Sequence, residues 1–270
     1  MSTHPVALVT GASSGIGAAT AAALVDKGFV VVGTSRNASK VAPVEGVTMV
    51  DLDVTSDVAV TTVVKRLVAD HGRIDVLVNN AGIGAAGAAE ESSIGQAQHL
   101  FDVNVFGTMR MIHAVLPHMR RRGAGRIVNV SSVLGLLPAP YMALYSATKH
   151  ALEGYCESVD HEVREHGVRV MLVEPAYTKT GFEANALTPD RPLDLYGARR
   201  ASFNQLAASA IDSGDDPSVV AKVIVDAATI SRPRLRYPAG SVARQVTLLR
   251  RFAPAAAFDK QIRKLNKLPA

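Results

Sequence analysis

Short, almost wholly apolar runs alternate with helical stretches along this chain, and that alternation constrains the fold more than any other feature. Six runs have the length and β-branched content of buried strands; they cover residues 5–10, 29–35, 47–53, 74–82, 125–132 and 168–175. The helical stretches between them run into glycines, at Gly28, Gly72, Gly123 and Gly167. Strands buried on both faces and joined by helices predict a parallel sheet covered on both sides. We therefore expect a doubly wound α/β fold.

The chain length favours a single domain over residues 1–270. Right-handed crossovers bring the carboxyl ends of the strands to one edge, where ligands bind. Residues 178–217 are interrupted by Pro189 and Pro192 and rich in turn formers, which predicts a substrate lid over that edge. Residues 238–270 form a basic extension.

Composition narrows the class of protein. With 48% hydrophobic and 20% charged residues, the chain is typical of a globular protein. Its one cysteine, Cys156, cannot close an intramolecular disulfide and is expected as a packed thiol. The sequence begins without a secretion signal and has no apolar run of about 18 residues, so we expect a cytoplasmic protein.

The positive charge is concentrated near the end of the chain. Residues 231–270 carry ten Lys and Arg against one acid, Asp259. No nucleic-acid-binding motif accompanies them, so we expect no nucleic acid partner. Basic and apolar residues alternate there at helical spacing, broken by Pro254. This segment is expected to pack on the body or on a partner subunit; covering the substrate pocket and a weak contact with a membrane surface remain alternatives.

The stretch LVTGASSGIG, residues 8–17, joins the first predicted strand to an alanine-rich helix. Gly11 permits a sharp exit from the strand, Gly15 lets backbone approach a ligand, and Gly17 permits close packing of the helix. Free N–H groups at the start of a helix favour an anion. The loop therefore predicts a phosphate site, with a merely tight connection as the alternative.

Two residues at the end of the second predicted strand bear on cofactor choice. Ser35 and Arg36 follow Gly17 by 18 and 19 residues, where a dinucleotide-binding βαβ unit meets the adenosine ribose. An acid there would select NAD, whereas a neutral residue followed by Arg suits a 2′-phosphate. The pair favours NADP(H) over NAD(H), unless Arg36 is an ordinary surface residue.

The sequence YSATK places Tyr145 and Lys149 one helical turn apart. A phenol with its ordinary pKa of about 10 is a poor base at neutral pH, but a nearby ammonium favours the phenolate. The pair predicts a general acid and base, with a surface pair as the alternative.

Together these motifs resemble the short-chain dehydrogenase/reductase family, whose members have a Rossmann fold. TGASSGIG at 10–17, DLDV at 51–54 and NNAG at 79–82 are similar to its cofactor motifs. Asn104 matches the family's helix asparagine, and Ser132 precedes Tyr145 by 13 residues, as the family's catalytic serine does. The eight histidines form no metal-ligand motif, so we expect no metal site.

The resemblance implies hydride transfer between a nicotinamide and a carbonyl carbon. Tyr145 would supply the proton, Ser132 would bond the same oxygen, and Lys149 would bind the nicotinamide ribose and lower the pKa of Tyr145. Asn104 would hold a water on the proton path. Ser131 is the rival of Ser132, although the 13-residue spacing favours Ser132.

The resemblance also implies a set of cofactor contacts, in which Asp53 accepts from the adenine amino group and the backbone near Ile16 and Thr178 meets the phosphates and carboxamide. The full set is Gly11, Ser14, Ile16, Arg36, Asp53, Asn80, Tyr145, Lys149 and Thr178. Many members have Pro-Gly after the sixth strand, and this chain has Pro175-Ala176, which leaves the path of the 176–180 turn open.

Within the family, the region around Tyr145 and the late RYPAG, residues 236–240, resemble 17β-hydroxysteroid and retinol dehydrogenases. We predict an apolar pocket for a lipophilic ketone or secondary alcohol, lined by Leu134, Leu136, Leu137, Pro138, Tyr141, Met142, Phe182 and Leu187. One alternative is a 3-oxoacyl thioester reductase whose Arg199 and Arg200 meet an acidic carrier; another is a non-catalytic NADP-sensing protein. The family implies a homodimer or homotetramer.

Overall fold

A computed structural model describes residues 3–268 and contains one seven-stranded sheet in which every strand is parallel to its neighbours. The strands are β1 (Val6–Val9), β2 (Val30–Ser35), β3 (Val47–Asp51), β4 (Val76–Asn79), β5 (Gly125–Val130), β6 (Val168–Pro175) and β7 (Arg236–Ala239). Their order in the sheet is β3-β2-β1-β4-β5-β6-β7. The predicted doubly wound fold is confirmed, and β7 is a strand that the apolar pattern did not indicate.

Helices connect the strands and continue beyond the last one. They are α1 (Gly15–Asp26), α2 (Asp57–His71), α3 (Ile94–Phe101), α4 (Gly107–Arg122), α5 (Ala143–Val163), α6 (Asp194–Asp212), α7 (Pro217–Thr229), α8 (Ser241–Phe252) and α9 (Ala255–Leu265). A single π-helical turn, Asp102–Phe106, joins α3 to α4. Gly72 and Gly123 cap α2 and α4 with left-handed backbone, as the sequence predicts.

Each face of the sheet has its own apolar core, because consecutive strand residues point to opposite sides. On β4, Leu77 packs in the core that includes Met111 of α4 and Leu152 of α5. The next residue, Val78, packs in the opposite core with Leu24 of α1 and Ile224 of α7. All six of these side chains except Leu152, at 2%, are fully buried. The sheet is thus covered on both faces, as predicted.

The chain reverses its direction across the sheet beside β1. β1 pairs with β2 on one side and with β4 on the other, so β4 begins the second half of the sheet. Crossovers on opposite sides of such a point leave a crevice at the carboxyl ends of the strands. This crevice is where the fold can hold a ligand.

The basic extension packs on the body of the molecule. Phe258 of α9 is buried, and Arg250 of α8 donates from Nε to the carbonyl of Leu136 at 3.1 Å. The guanidinium of Arg250 also lies 5.0 Å from the centre of the Phe258 ring. Within residues 3–268, no helix combines the length and apolarity that crossing a bilayer requires.

Candidate active site

A cleft of about 510 Å³ opens at the carboxyl ends of β1, β4, β5 and β6. All nine residues predicted to bind the cofactor line it, and so does Ser132. Asn104 does not. The strand ends therefore bring together residues that are separated by up to 167 positions in the chain, from Gly11 to Thr178.

The glycine turn between β1 and α1 forms one wall of the cleft. Gly11 has φ +65°, and a Cβ on Gly17 would lie 2.1 Å from the carbonyl oxygen of Gly11. The amide of Asn80 holds the turn by donating to the carbonyls of Thr10 and Gly11 at 3.0 and 2.9 Å. α1 begins without a side-chain cap from Ser14, which leaves its first N–H groups for an anion. This cradle fits the pyrophosphate of a dinucleotide.

The cleft ends beside β2 and β3 in two opposite charges. Arg36 is exposed there, and the Oδ1 atom of Asp53 accepts from the backbone N and the hydroxyl of Thr55 at 2.9 and 2.7 Å. These bonds, with a smaller contribution from Arg36, hold the pKa of Asp53 below its ordinary value. Asp53 is therefore an anionic acceptor, and Arg36 is a cation available to a phosphate.

Ser132 and Tyr145 meet at the centre of the cleft. The hydroxyl of Ser132 hydrogen-bonds that of Tyr145, which lowers the pKa of the phenol, and it accepts from the backbone N of Leu134 at 3.1 Å. Ser131 is also buried, but its hydroxyl has no hydrogen-bond partner among residues 3–268. Of the two serines, Ser132 is thus the one joined to Tyr145.

Tyr145 and Lys149 are both buried, and burial dominates their protonation. It raises the pKa of Tyr145 above its ordinary value, and the carboxylate of Glu183 adds to that rise. Burial lowers the pKa of Lys149 to about 8. Lysine Nζ donates to the carbonyl of Val130 at 2.9 Å and lies 5.5 Å from the centre of the Tyr145 ring.

The pKa of Tyr145 lies above its ordinary value because burial disfavours the phenolate, and the predicted lowering of that pKa by Lys149 stays a prediction. The phenol is protonated at neutral pH. It is ready to donate a proton to an oxygen that gains negative charge, while Ser132 offers a second hydrogen bond to the same oxygen.

Asn104 lies in the π-helical turn and is buried behind the cleft. Its Oδ1 accepts from the backbone N of Ile83 and its Nδ2 donates to the carbonyl of Ile83, both at 2.9 Å. Nδ2 also approaches the hydroxyl of Thr148 on α5 at 3.3 Å. The side chain thus ties the segment after β4 to α5, and its predicted role in holding a water stays a prediction.

The other end of the cleft carries three of the eight residues predicted to line an apolar pocket. Leu134, Met142 and Phe182 line it, and the Phe182 ring meets the Tyr145 ring edge-on at 5.8 Å. The other five do not line the cleft; they are Leu136, Leu137, Pro138, Tyr141 and Leu187. The sequence reading missed Glu183, which lines the cleft on the turn after Phe182. A single exposed glutamate carries no sequence signal of such a position.

The segment over this end is anchored by Glu91, a fully buried carboxylate in the loop after β4. Its Oε1 accepts from the backbone N of Leu193 at 2.9 Å and pairs with Arg200 of α6, and its Oε2 accepts from the backbone N of Ala88 at 3.0 Å. The neighbouring Arg199 donates to the carbonyl of Lys267 at 2.7 Å. Both arginines are thus engaged within the chain, which argues against the expectation that they receive an acidic carrier.

The donor set at the cleft suits carbonyl chemistry. A nicotinamide dinucleotide, when bound, would supply or accept the hydride. Gly11, Ser14 and Asn80 would hold its phosphate end, and Ser132 and Tyr145 would hold and protonate the reacting oxygen. Among residues 3–268, no group of three or more His, Cys, Asp or Glu side chains is placed to bind a metal ion.

Comparison with known sequences agrees with this geometry. The sequence pattern of the short chain dehydrogenases matches residues 5–190. A 3-ketodihydrosphingosine reductase from Bacteroides thetaiotaomicron is 42% identical over 180 residues, which cover 67% of this chain and 66% of the relative. Retinol dehydrogenase 8 from Bos taurus is 37% identical over 256 residues, covering 85% of this chain and 79% of the relative.

Solved structures show the same fold. A short-chain dehydrogenase from Streptomyces avermitilis is 34% identical, covers 99% of this chain and 96% of its own, and superposes with a TM-score of 0.82. Two similar structures contain different cofactors: NADP in one from Burkholderia cenocepacia (25% identity, TM-score 0.77, 96% and 97% covered) and NAD in one from Burkholderia phymatum (27%, 0.79, 96% and 95%). The chain belongs to the short-chain dehydrogenase/reductase family of oxidoreductases, which act on CH–OH and C=O groups.

Proposed function

We propose that this protein is an NADP(H)-dependent oxidoreductase that interconverts a lipophilic ketone and the corresponding secondary alcohol. The observation that carries the proposal is the continuity of one cleft, from the glycine cradle at Gly11 to the bonded pair Ser132 and Tyr145. A hydride donor and a carbonyl oxygen would meet in that cleft. Asn104, Ser132, Tyr145 and Lys149 are its proposed catalytic residues.

Arg36 supports the choice of NADP(H). It is an exposed cation at the adenosine end of the cleft, and no acid occupies its position at the end of β2. A guanidinium pairs well with a 2′-phosphate. Asp53 would accept from the adenine amino group beside it.

The substrate class follows from the other end of the cleft. Leu134, Met142 and Phe182 offer apolar area and few polar anchors, which suits a lipophilic molecule. The names of two relatives, a 3-ketodihydrosphingosine reductase and a retinol dehydrogenase, denote lipophilic substrates of this kind. Residues 178–217 would form the lid, anchored through Glu91.

A panel of carbonyl compounds tests the proposal. A long-chain 3-ketone, a steroid ketone, retinaldehyde and an acetoacetyl thioester would each be offered with NADPH and with NADH. We expect turnover of a lipophilic carbonyl with NADPH and much slower turnover of the thioester. Preference for the thioester would favour the 3-oxoacyl reductase alternative, and NADPH binding without any turnover would favour the NADP-sensing alternative.

Two further expectations, on oligomeric state and on location, belong to this proposal. The family resemblance supports a homodimer or homotetramer, which sedimentation velocity would measure. The cytoplasm is the expected location, which cell fractionation would test.

The exposed side chains of Leu248, Leu249 and Phe252 on α8, beside Arg251, support a weak contact with an anionic membrane surface. Cosedimentation with anionic and with neutral liposomes would show whether the protein makes this contact. Binding to neither kind of liposome would remove it from the proposal.

A further inference from the structure

A polar stripe runs down α5 from the active site into the protein interior. Tyr145, Lys149, Glu153 and Glu157 follow one another at intervals of four residues, so they share one helix face. The first three are buried, whereas the side chain of Glu157 is 43% exposed. The proposed mechanism uses Tyr145 and Lys149 and leaves the two glutamates without a role.

A second buried glutamate faces this stripe from the sheet. Glu174 is the penultimate residue of β6 and is fully buried. Arg236 of β7 joins it to the stripe, because Nε of that arginine lies 2.9 Å from Oε2 of Glu153 and 3.5 Å from Oε1 of Glu174. The two carboxyl groups therefore approach the same nitrogen atom.

The hydrogen bonds of these two groups are incomplete. Both oxygens of Glu174 and the Oε1 atom of Glu153 are buried without a hydrogen-bond partner among residues 3–268. Two unprotonated carboxylates have no hydrogen to offer each other, and bringing both charges into the interior is costly. One proton on the pair would lower the buried charge and give an oxygen that lacks a partner a hydrogen to donate.

Charge balance supports one such proton. The charged and titratable groups that face the pair are Lys149, Cys156 and Glu157 from α5 and Arg236 from β7, and the Ser131 hydroxyl lies near Glu153 across Gly135. With one proton on the pair and a neutral thiol, two positive charges balance two negative charges. Burial and the nearby Glu153 raise the pKa of Glu174 to about 8, in keeping with a protonated Glu174 at neutral pH.

We propose that Glu153 and Glu174 carry one proton between the two carboxyl groups, and that the remaining negative charge of the pair keeps Lys149 cationic beneath Tyr145. Glu153 and Glu174 are then positioning residues, since neither lies in the cleft. Glu153 opposes the effect of burial on Lys149, because its charge raises the pKa of the lysine. This inference rests on the proposed function only for its kinetic readout.

The kinetic arm uses the pH dependence of kcat/KM for NADPH-dependent reduction. In Glu153→Gln the pKa of Lys149 falls further, so we expect the alkaline limb to move to lower pH by about one unit, a loss of kcat/KM that approaches about tenfold at pH values above both limbs. Glu153→Asp keeps the charge and should restore most of the shift. The matched control is Glu157→Gln. Glu157 also pairs with Arg236 but is half-exposed, so its substitution should shift the alkaline limb less.

The variant Glu174→Gln tests whether Glu174 is protonated or carries a second negative charge beside Glu153. Glutamine resembles a protonated carboxyl group, so we expect kcat/KM at pH 7 to stay within about twofold of the unmodified protein. A loss as large as that of Glu153→Gln would show that Glu174 carries a negative charge and would overturn the proposal. So would an alkaline limb that moves no more in Glu153→Gln than in Glu157→Gln.

The second arm measures stability and needs no activity. The pKa of Glu174 is raised in the folded protein from an ordinary value of 4.5 to about 8, so its contribution to stability is present at low pH and is lost as pH rises through 8. The fall in unfolding free energy between about pH 5 and pH 8 should flatten in Glu174→Gln. Glu183 also has a raised pKa, and the difference between the two proteins removes its contribution.

The stability measurement and the kinetic measurement can contradict the proposal independently of each other. An unchanged slope of stability against pH in Glu174→Gln would overturn the single proton on the pair whether or not the protein is active. If the unmodified protein reduced no carbonyl compound at all, the proposed function would fail and the stability arm would still decide the state of the pair.

Discussion

The two ends of the cleft are built in different ways. The cofactor end consists of short side chains and backbone that directly follow β1, β2 and β4, tied by contacts such as that of Asn80 with the glycine turn. The substrate end depends on a segment that is distant in the sequence. Its backbone N at Leu193 donates to the carboxylate of Glu91, 102 residues earlier in the chain. Changes at the first end should therefore alter cofactor affinity, and changes at the second should alter substrate affinity.

For the division of the cleft into two ends, the first test is at the glycine turn. In Gly17→Val, the new side chain would meet the carbonyl oxygen of Gly11, because even a Cβ would lie 2.1 Å from it. Displacing that backbone costs about 1–3 kcal/mol, which corresponds to roughly 5- to 150-fold weaker NADPH binding. Fluorescence titration with NADPH measures this change.

The matched control is Gly154→Ala. Gly154 lies on α5, and a Cβ there meets nothing within 4 Å. Alanine also has the higher helix propensity, so NADPH binding should be unchanged and the melting temperature equal or higher. Equal NADPH affinity in Gly17→Val and the unmodified protein would remove the turn from the cofactor site.

The lid anchor comes next. Glu91→Gln removes the charge that pairs with Arg200 and weakens the acceptor for the backbone N of Leu193. We expect KM for the carbonyl substrate to rise about tenfold or more, while the affinity for NADPH stays the same, since charge-assisted hydrogen bonds are the stronger kind.

Glu90→Gln is the control for that change, because Glu90 is an exposed neighbour that accepts a hydrogen bond from the Tyr196 hydroxyl. Its effect on KM should be small. If Glu91→Gln weakened NADPH binding and left KM alone, the division of the cleft into two ends would be wrong.

The choice of cofactor gives a more specific change. Arg36→Asp removes a cation from the adenosine end and adds an acid that suits a ribose hydroxyl. A charge-assisted hydrogen bond contributes about 1.5–3 kcal/mol, so the ratio of kcat/KM for NADPH to that for NADH should fall by about 10- to 150-fold. Equal use of both cofactors by the unmodified protein would contradict the role of Arg36.

The smallest expected effect concerns Glu183. Its negative charge raises the pKa of Tyr145, so Glu183→Gln should lower that pKa. Alcohol oxidation needs the phenolate, and its rate should therefore reach the plateau at a lower pH, by less than about one unit. The pH profile of oxidation measures the shift. Glu165→Gln, an equal change of charge on the turn after α5, should leave the profile in place.

The difference between the two ends of the cleft also explains which features could be predicted from the sequence. β6 was predicted with its observed ends, because Gly167 and Pro175 bound one apolar run. The residues proposed to bind the cofactor lie in motifs that the family resemblance identifies, and the structure brings all of them into one cleft. β7 was missed because Arg236 and Pro238 interrupt its apolar character; proline is tolerated there because β7 is an edge strand.

The features that no pattern indicated depend on contacts between distant residues. Arg236 pairs with Glu153 across 83 positions, and Glu183 reaches the cleft only because the segment that carries it folds over α5. The raised pKa of Tyr145 is another feature that no sequence pattern indicated. The spacing to Lys149 was visible in the sequence, whereas the burial that raises the pKa of the phenol is a property of the packed structure.

Tyr145 carries the central claim, and Tyr145→Phe tests it most directly. The measurement is kcat for NADPH-dependent reduction of the best carbonyl substrate, with NADPH affinity determined in parallel and Tyr155→Phe on the same helix as the control. We expect Tyr145→Phe to lower kcat by about 10²- to 10⁴-fold with little change in NADPH affinity, because a general acid contributes that much. A Tyr145→Phe variant that reduces the carbonyl as fast as the Tyr155→Phe control would contradict the account.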